Sequence, residues 1–191
     1  PTMFRIDERK APHNLYADTE LVREYIDSRG FLFNQDVNPL YNFGTNQNNW
    51  SSGASRVTLK YSEKTTVIWK LDDDQYSRFI ADGYAPNTDA VAHNFITRDG
   101  YEDILQSPTV VVIQGPLYND EATTLPSVLT VGVGPVTIFH EGKYIEGTWR
   151  RNDISDPFEF LDSDQNKIDV PPSKQWIHLL PLTGEISISD N

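Results

Sequence analysis

From Arg56 onward the chain is a succession of short apolar and aromatic runs, each ended within a few residues by a turn-forming group. Val57 to Tyr61 alternates apolar with polar residues, and on an extended backbone that alternation loads one face with each kind. Thr66 to Leu71 is rich in β-branched and aromatic side chains, Asp72-Asp73-Asp74 is a turn, and Gln75 to Ile80 alternates again. Val110 to Ile113 is unbroken apolar sequence, the mark of a strand covered on both faces. Val128 to Val131, Val136 to His140, Tyr144 to Arg150, Phe158 to Leu161 and Trp176 to Leu180 continue the series, with Glu141-Gly142 as a tight hairpin turn. Strands at this spacing predict a mainly β (α+β) fold: an antiparallel sandwich or bent barrel of short strands with one N-terminal helix. The 191 residues are enough to bury a core without a disulfide or metal staple, and four Trp, nine Tyr and nine Phe supply large flat side chains to fill it. The 12 prolines belong in loops and edges of such a fold.

The first thirty residues follow another rule. Leu21, Val22, Tyr25 and Ile26 recur at helical spacing; Asp18 or Thr19 can cap the first turn and Gly30 ends the last. A helix over 18–29 follows. Asn34 to Ser55 is crowded with Asn, Ser, Gly and Pro, whose side chains compete with regular backbone pairing. The expected organisation is therefore residues 1–33 as the tail end of an N-terminal α/β domain, 34–55 as a linker, and 56–191 as a β-rich C-terminal domain.

A net charge of −12 argues against nucleic acid or anionic lipid as a partner. The absence of cysteine removes disulfides, thiolate metal sites and a cysteine nucleophile. No apolar run is long enough to span a bilayer and no signal peptide is visible; without an initiator Met the chain reads as a mature or trimmed fragment, with room for a lipid anchor upstream of Pro1.

The cation-rich stretch Arg9-Lys10-Ala11-Pro12-His13-Asn14-Leu15-Tyr16 stands out in this acidic chain. It lies just before a helix start, where free N–H groups and the macrodipole favour an anion. Arg9, Lys10, His13, Asn14 and Tyr16 are the candidate anion-binding residues, for a phosphorylated or pyrophosphorylated ligand; the competing reading is a polar turn whose side chains cap local backbone. Asp162-Ser163-Asp164-Gln165-Asn166 begins like a calcium loop, but Lys167 and Ser173 stand where Gly and Glu belong, so a hairpin turn is expected instead. His93, His140 and His178 show no zinc spacing, and the latter two read as ordinary strand residues. Gly132-Val133-Gly134-Pro135 is not a phosphate loop and no nucleophile elbow occurs. No catalytic residue, metal site or cofactor is expected.

Arg9 to Tyr16 followed by Thr19-Glu20 resembles the end of the first domain of the bacterial YerB-like lipoprotein family, which has no established activity. Tyr61-Ser62, Val67 to Leu71, Tyr76-Ser77-Arg78, Val110 to Gln114, Gly142 to Trp149 and Lys174 to Pro181 resemble its C-terminal domain. Two departures stand against this: most of the family's first domain has no counterpart, and Asn166 and Pro172-Ser173 replace glycine-containing turns. The resemblance implies an extracytoplasmic cell-envelope or secreted module whose partner is an envelope protein or cell-wall polymer, and with no nucleophile–base set, metal spacing or cofactor loop in the sequence the expected module is non-enzymatic, binding or structural. The family's first domain is in turn similar to LytR-CpsA-Psr enzymes, which implies an alternative: part of a phosphotransferase-like enzyme acting on lipid-linked wall polymers, with Arg9 and Lys10 on the pyrophosphate and His13 or Tyr16 assisting.

Overall fold

A computed structural model describes residues 2–11, 14–31, 38–46, 49–82, 90–97, 99–121 and 125–190. The chain forms two compact units, 1–38 and 39–191. In the first, β1 (Met3–Arg5) pairs antiparallel with β2 (Leu15–Ala17) and leads into α1 (Thr19–Ser28). Asp18 is the N-cap: its carboxylate accepts from the backbone N–H of Glu20 at 2.9 Å and of Leu21 at 3.3 Å. Arg29 is the C-cap, and Gly30 takes a φ of 74° just beyond it.

The second unit runs β3 (Ser51–Ser52), β4 (Arg56–Ser62), β5 (Thr65–Asp72), β6 (Gln75–Asp82), β7 (Val91–Ala92), β8 (Asn94–Ile96), β9 (Glu102–Ile104) and β10 (Gln106–Ser107). There follow β11 (Thr109–Gly115), β12 (Leu117–Asn119), β13 (Pro126–Val128), β14 (Gly132–His140), β15 (Lys143–Arg151), β16 (Glu159–Leu161), β17 (Gln175–Pro181) and β18 (Glu185–Ser189). One sheet has the order β10-β6-β5-β4-β18, with β7 also on β6; the other has the order β16-β15-β14-β11-β17, with β3 also on β15. Neither closes on itself, so the unit is a sandwich and not a barrel. The predicted strand over 128–131 is β13, ending at Val128; the residues after it form a connection back to β14. One pair departs from the antiparallel expectation: β11 and β17 run parallel, Thr109 opposite Gln175 and Gly115 opposite Pro181. The chain between them makes the long return that a parallel pair requires.

The unbroken apolar run in β11 is explained by its position. Val110 and Val112 face the other sheet, in a cluster with Val57, Leu59, Val67, Trp69, Tyr76, Phe139 and Leu180. Val111 and Ile113 face the opposite way, into a second cluster with Tyr41, Ile138, Trp149, Phe158, Phe160 and Val170. That outer face is roofed by irregular chain: Gly44 N–H donates to Val170 O at 3.1 Å, Val170 N–H to Asn42 O at 2.9 Å, and Phe158 N–H to Leu40 O at 2.8 Å. Tyr41 anchors the roof, its hydroxyl donating to Gln175 Oε1 at 2.5 Å. The β14–β15 hairpin turns on Glu141 (φ 48°) and Gly142 (φ 77°), the two positive φ values a type I′ turn demands. The 162–167 segment is the expected hairpin turn, with Asp162 N–H donating to Asn166 O at 2.9 Å and Ile168 N–H to Phe160 O at 2.8 Å.

Candidate functional site

The distinctive polar chemistry of the second unit lies between the sheets. Trp69 on β5 and Arg78 on β6 are cross-strand partners and share a face. Trp69 is fully buried in the inner core, as is Tyr76 two residues before Arg78, so Arg78 also points inward. Trp176 and His178 stand two apart on β17 and look back at them. Tyr61 sits where the β4–β5 register shifts between Lys60 and Ser62, an irregularity of the kind that re-aims a side chain. His93, between β7 and β8, is held through its backbone: its N–H donates to Arg78 O at 2.8 Å and its carbonyl accepts from Leu105 N–H at 2.9 Å.

The guanidinium carbon of Arg78 lies 4.9 Å from the Trp176 ring centroid and 5.9 Å from that of Trp69. The two indoles are 5.8 Å apart and the His178 ring is 5.8 Å from Trp69. Arg78 Nη1 donates to His93 Nδ1, while Arg78 Nε is buried and has no hydrogen-bond partner. Among the described residues no carboxylate pairs with this guanidinium. Ring faces attract a cation but do not neutralise it, so Arg78 is a partly desolvated positive charge without a counter-ion among the described residues. Burial lowers its pKa, against the opposing influence of Tyr61.

Proton positions in the cluster follow from what each donor can do. The Trp69 indole N–H can only donate, and it lies 2.8 Å from His178 Nε2. His178 Nε2 is therefore unprotonated, and its proton is on Nδ1, 2.5 Å from the Tyr61 hydroxyl oxygen. Tyr61 accepts that proton, which leaves its own O–H free to point elsewhere. By the same logic His93 Nδ1, bonded to a guanidinium, carries a lone pair. Burial, reinforced by the charge of Arg78, pushes the His178 pKa down to about 3. Burial pushes Tyr61 up to about 12, with Arg78 opposing. The arrangement holds two neutral imidazoles, a neutral phenol and one cation. It can receive an anion; it offers no activated nucleophile.

A second polar chain joins β11, β14 and the start of β17. His140 Nδ1 lies 2.8 Å from Thr109 Oγ1, which lies 2.6 Å from Ser173 Oγ, and His140 Nε2 lies 3.3 Å from Glu141. Ser173 Oγ is also within reach of the Lys174 carbonyl at 3.1 Å, so this network ties strand ends together.

The residues singled out near the amino end fall in the first unit. Arg9 and Lys10 lie on the turn between β1 and β2, Arg9 partly exposed and Lys10 exposed. Asn14 is spent on the hairpin: its Oδ1 accepts from Arg5 Nη1 at 2.5 Å and its Nδ2 donates to Ile6 O at 3.2 Å. Tyr16 stacks on Phe4 with ring centroids 6.4 Å apart. His13 lies outside the described residues. The first N–H groups of α1 are met by Asp18. At the 162–167 turn, Asp162 Oδ1 accepts from the backbone N–H groups of Asp164 at 2.9 Å and Asn166 at 2.8 Å, which accounts for a carboxyl pKa lowered below its ordinary value.

The sequence reading passed over Tyr61, Arg78, His93, Trp176 and His178 as site residues. One signal was present: Tyr76 and Arg78 share a strand face, so a core tyrosine there carries an arginine inward with it.

Comparison with known proteins bears on the fold. The crystal structure of YerB protein from Bacillus subtilis superposes with a TM-score of 0.68 at 18% identity, covering 97% of this chain and 59% of that one. The chain thus spans about three fifths of YerB's length, and at this identity the likeness shows the fold alone. A comparison with the curated proteins finds no match. Residues 56–177, more than half of the chain, match the family described as "Protein of unknown function (DUF3048) C-terminal domain". With that match and the YerB-like fold together, the resemblance read from the sequence holds, and the chain belongs to this YerB-like family of unknown function.

Proposed function

We propose that the chain is a non-enzymatic, extracytoplasmic module of the bacterial cell envelope, and that it binds a partner through an anionic group received at Arg78. One observation carries the binding half of this reading: a guanidinium set between Trp69 and Trp176, with a buried Nε that meets no acceptor and no carboxylate beside it among the described residues. A lone desolvated charge costs stability that an incoming anion would recover. The envelope half is supported by the family resemblance. The non-enzymatic half is supported by a cluster in which burial holds His178 and Tyr61 neutral.

The test is titration of the chain with acetate, benzoate, inorganic phosphate and pyrophosphate, followed by tryptophan fluorescence, because Trp69 and Trp176 flank the site. Binding by any one of them, weakened about tenfold or more by Arg78→Gln, supports the reading. Anion binding that ignores Arg78→Gln refutes it. Pyrophosphate binding lost instead in the double variant Arg9→Ala, Lys10→Ala would favour the hairpin turn as the site, and turnover of a lipid-linked wall precursor would replace the module with an enzyme.

A further inference from the structure

The geometry points to a carboxylate as the group received here, held jointly by the Arg78 guanidinium and the Tyr61 hydroxyl and carried on an aromatic or otherwise apolar body. This rests on the reading that Arg78 receives an anion, and it adds the ligand's chemical class and a second donor.

The second donor comes from the direction of the hydrogen bonds. Trp69 fixes the tautomer of His178, His178 then donates to Tyr61, and the phenol proton is left for a group outside the cluster. A tyrosine that merely closed a core network would donate inward. Tyr61 is partly exposed at the β4 irregularity, and Arg78, His93 and Trp176 are partly exposed as well, so the cluster reaches the surface. Tyr61 and Arg78 are close enough that each perturbs the ionisation of the other.

Charge then selects the class. Arg78 Nη1 is committed to His93. The remaining guanidinium N–H groups are charge-assisted donors, and the Tyr61 O–H adds a neutral one, so both oxygens of a carboxylate can be met. A phosphate brings more oxygens and up to two negative charges. Among the described residues there is no second cation in the cluster to meet them. The chain's charge of −12 also repels a dianion more than a monoanion. The wall decides the rest of the ligand: the partly exposed indole of Trp176 offers flat apolar surface next to the cation.

The experiment is isothermal titration calorimetry of the 191-residue chain and its Tyr61→Phe and Arg78→Gln variants with benzoate, acetate and inorganic phosphate, alongside 15N NMR of the His178 ring. The expected result is benzoate tighter than acetate, phosphate weakest, benzoate affinity down about tenfold or more in Arg78→Gln and about threefold to tenfold in Tyr61→Phe. The NMR of the unaltered chain should show the Nδ1-protonated tautomer of His178. If phosphate binds more tightly than benzoate and Arg78→Gln removes it, the carboxylate assignment falls while the anion reading stands. If Tyr61→Phe leaves benzoate affinity unchanged, or the NMR shows the Nε2-protonated tautomer, the second donor is wrong. If no probe binds in an Arg78-dependent way, both readings fall together.

Discussion

Acidification should destabilise this protein well before its carboxylates titrate, through His178. In the unfolded chain the imidazole has its ordinary pKa of 6.5, whereas in the folded state burial and Arg78 hold it near 3. Between those values the unfolded state binds a proton that the native state refuses, so stability rises with pH across the window and falls as pH is lowered through it. Above about pH 7 the group contributes no slope. Each pH unit inside the window is worth about 1.4 kcal/mol, so the loss is ~2 kcal/mol from pH 7 to 5 and ~3 kcal/mol from pH 7 to 4. Asp153, Glu159 and Asp162 also have lowered pKa values and push the same way, but their loss begins only as pH falls into the ordinary carboxylate range of the unfolded chain, so they add little between pH 7 and 5. Urea unfolding at half-unit pH steps measures the slope, and His178→Gln, which has no proton to refuse, should flatten it whatever its own stability. A His178 ring that titrates near 6.5 by NMR in the folded chain would refute the reasoning outright, as would an equal pH slope in His178→Gln.

Gly134→Ala should cost ~3 kcal/mol, because the new Cβ would lie 2.4 Å from Gln114 O and 2.6 Å from Trp149 Nε1, wedged into a hydrogen bond that is 2.7 Å long. Urea unfolding checks the figure, and a loss under ~1 kcal/mol would mean the strands part easily there. Asp18→Ala should cost the first unit about 1 kcal/mol of helix stability, visible as faster amide exchange in α1 and not in β11. Asp162→Ala should lower the Tm by releasing the backbone N–H groups of Asp164 and Asn166, while millimolar calcium should leave the Tm of the unaltered chain unchanged; a rise with calcium would restore the metal-loop reading.

The sandwich was legible because its strands bury one face or two, and burial writes itself as alternation or as an unbroken apolar run. Val57 to Tyr61 and Val110 to Ile113 each told which case applied. Helix α1 was legible because Asp18 and Gly30 bracket it with local chemistry. The short strands β7, β8, β9, β10 and β12 were not, since strands of two or three residues are defined by what they pair with and carry no period of their own. The parallel pairing of β11 with β17 was hidden for the same reason: direction in a sheet depends on the long return between the two, not on either sequence. The Arg78 cluster draws Tyr61, Arg78, His93, Trp176 and His178 from separate elements, and no spacing rule links them. The cationic turn at Arg9 and Lys10 attracted notice because its residues are neighbours in sequence, which is the only proximity a sequence displays directly.

The pairing of β4 with β18, Lys60 opposite Glu185 and Arg56 opposite Ser189, also dictates a timetable. The strand that opens the sandwich waits for one made more than a hundred residues later, and β11 likewise waits for β17. Neither sheet can be completed until those later strands have been made. Ile186 and Ile188 pack against the inner core, so until they are made the cluster of Val57, Leu59 and Trp69 keeps an uncovered flank. Pairing across so long a stretch of chain is slow to form, and in that interval the uncovered flank is the surface most open to aggregation.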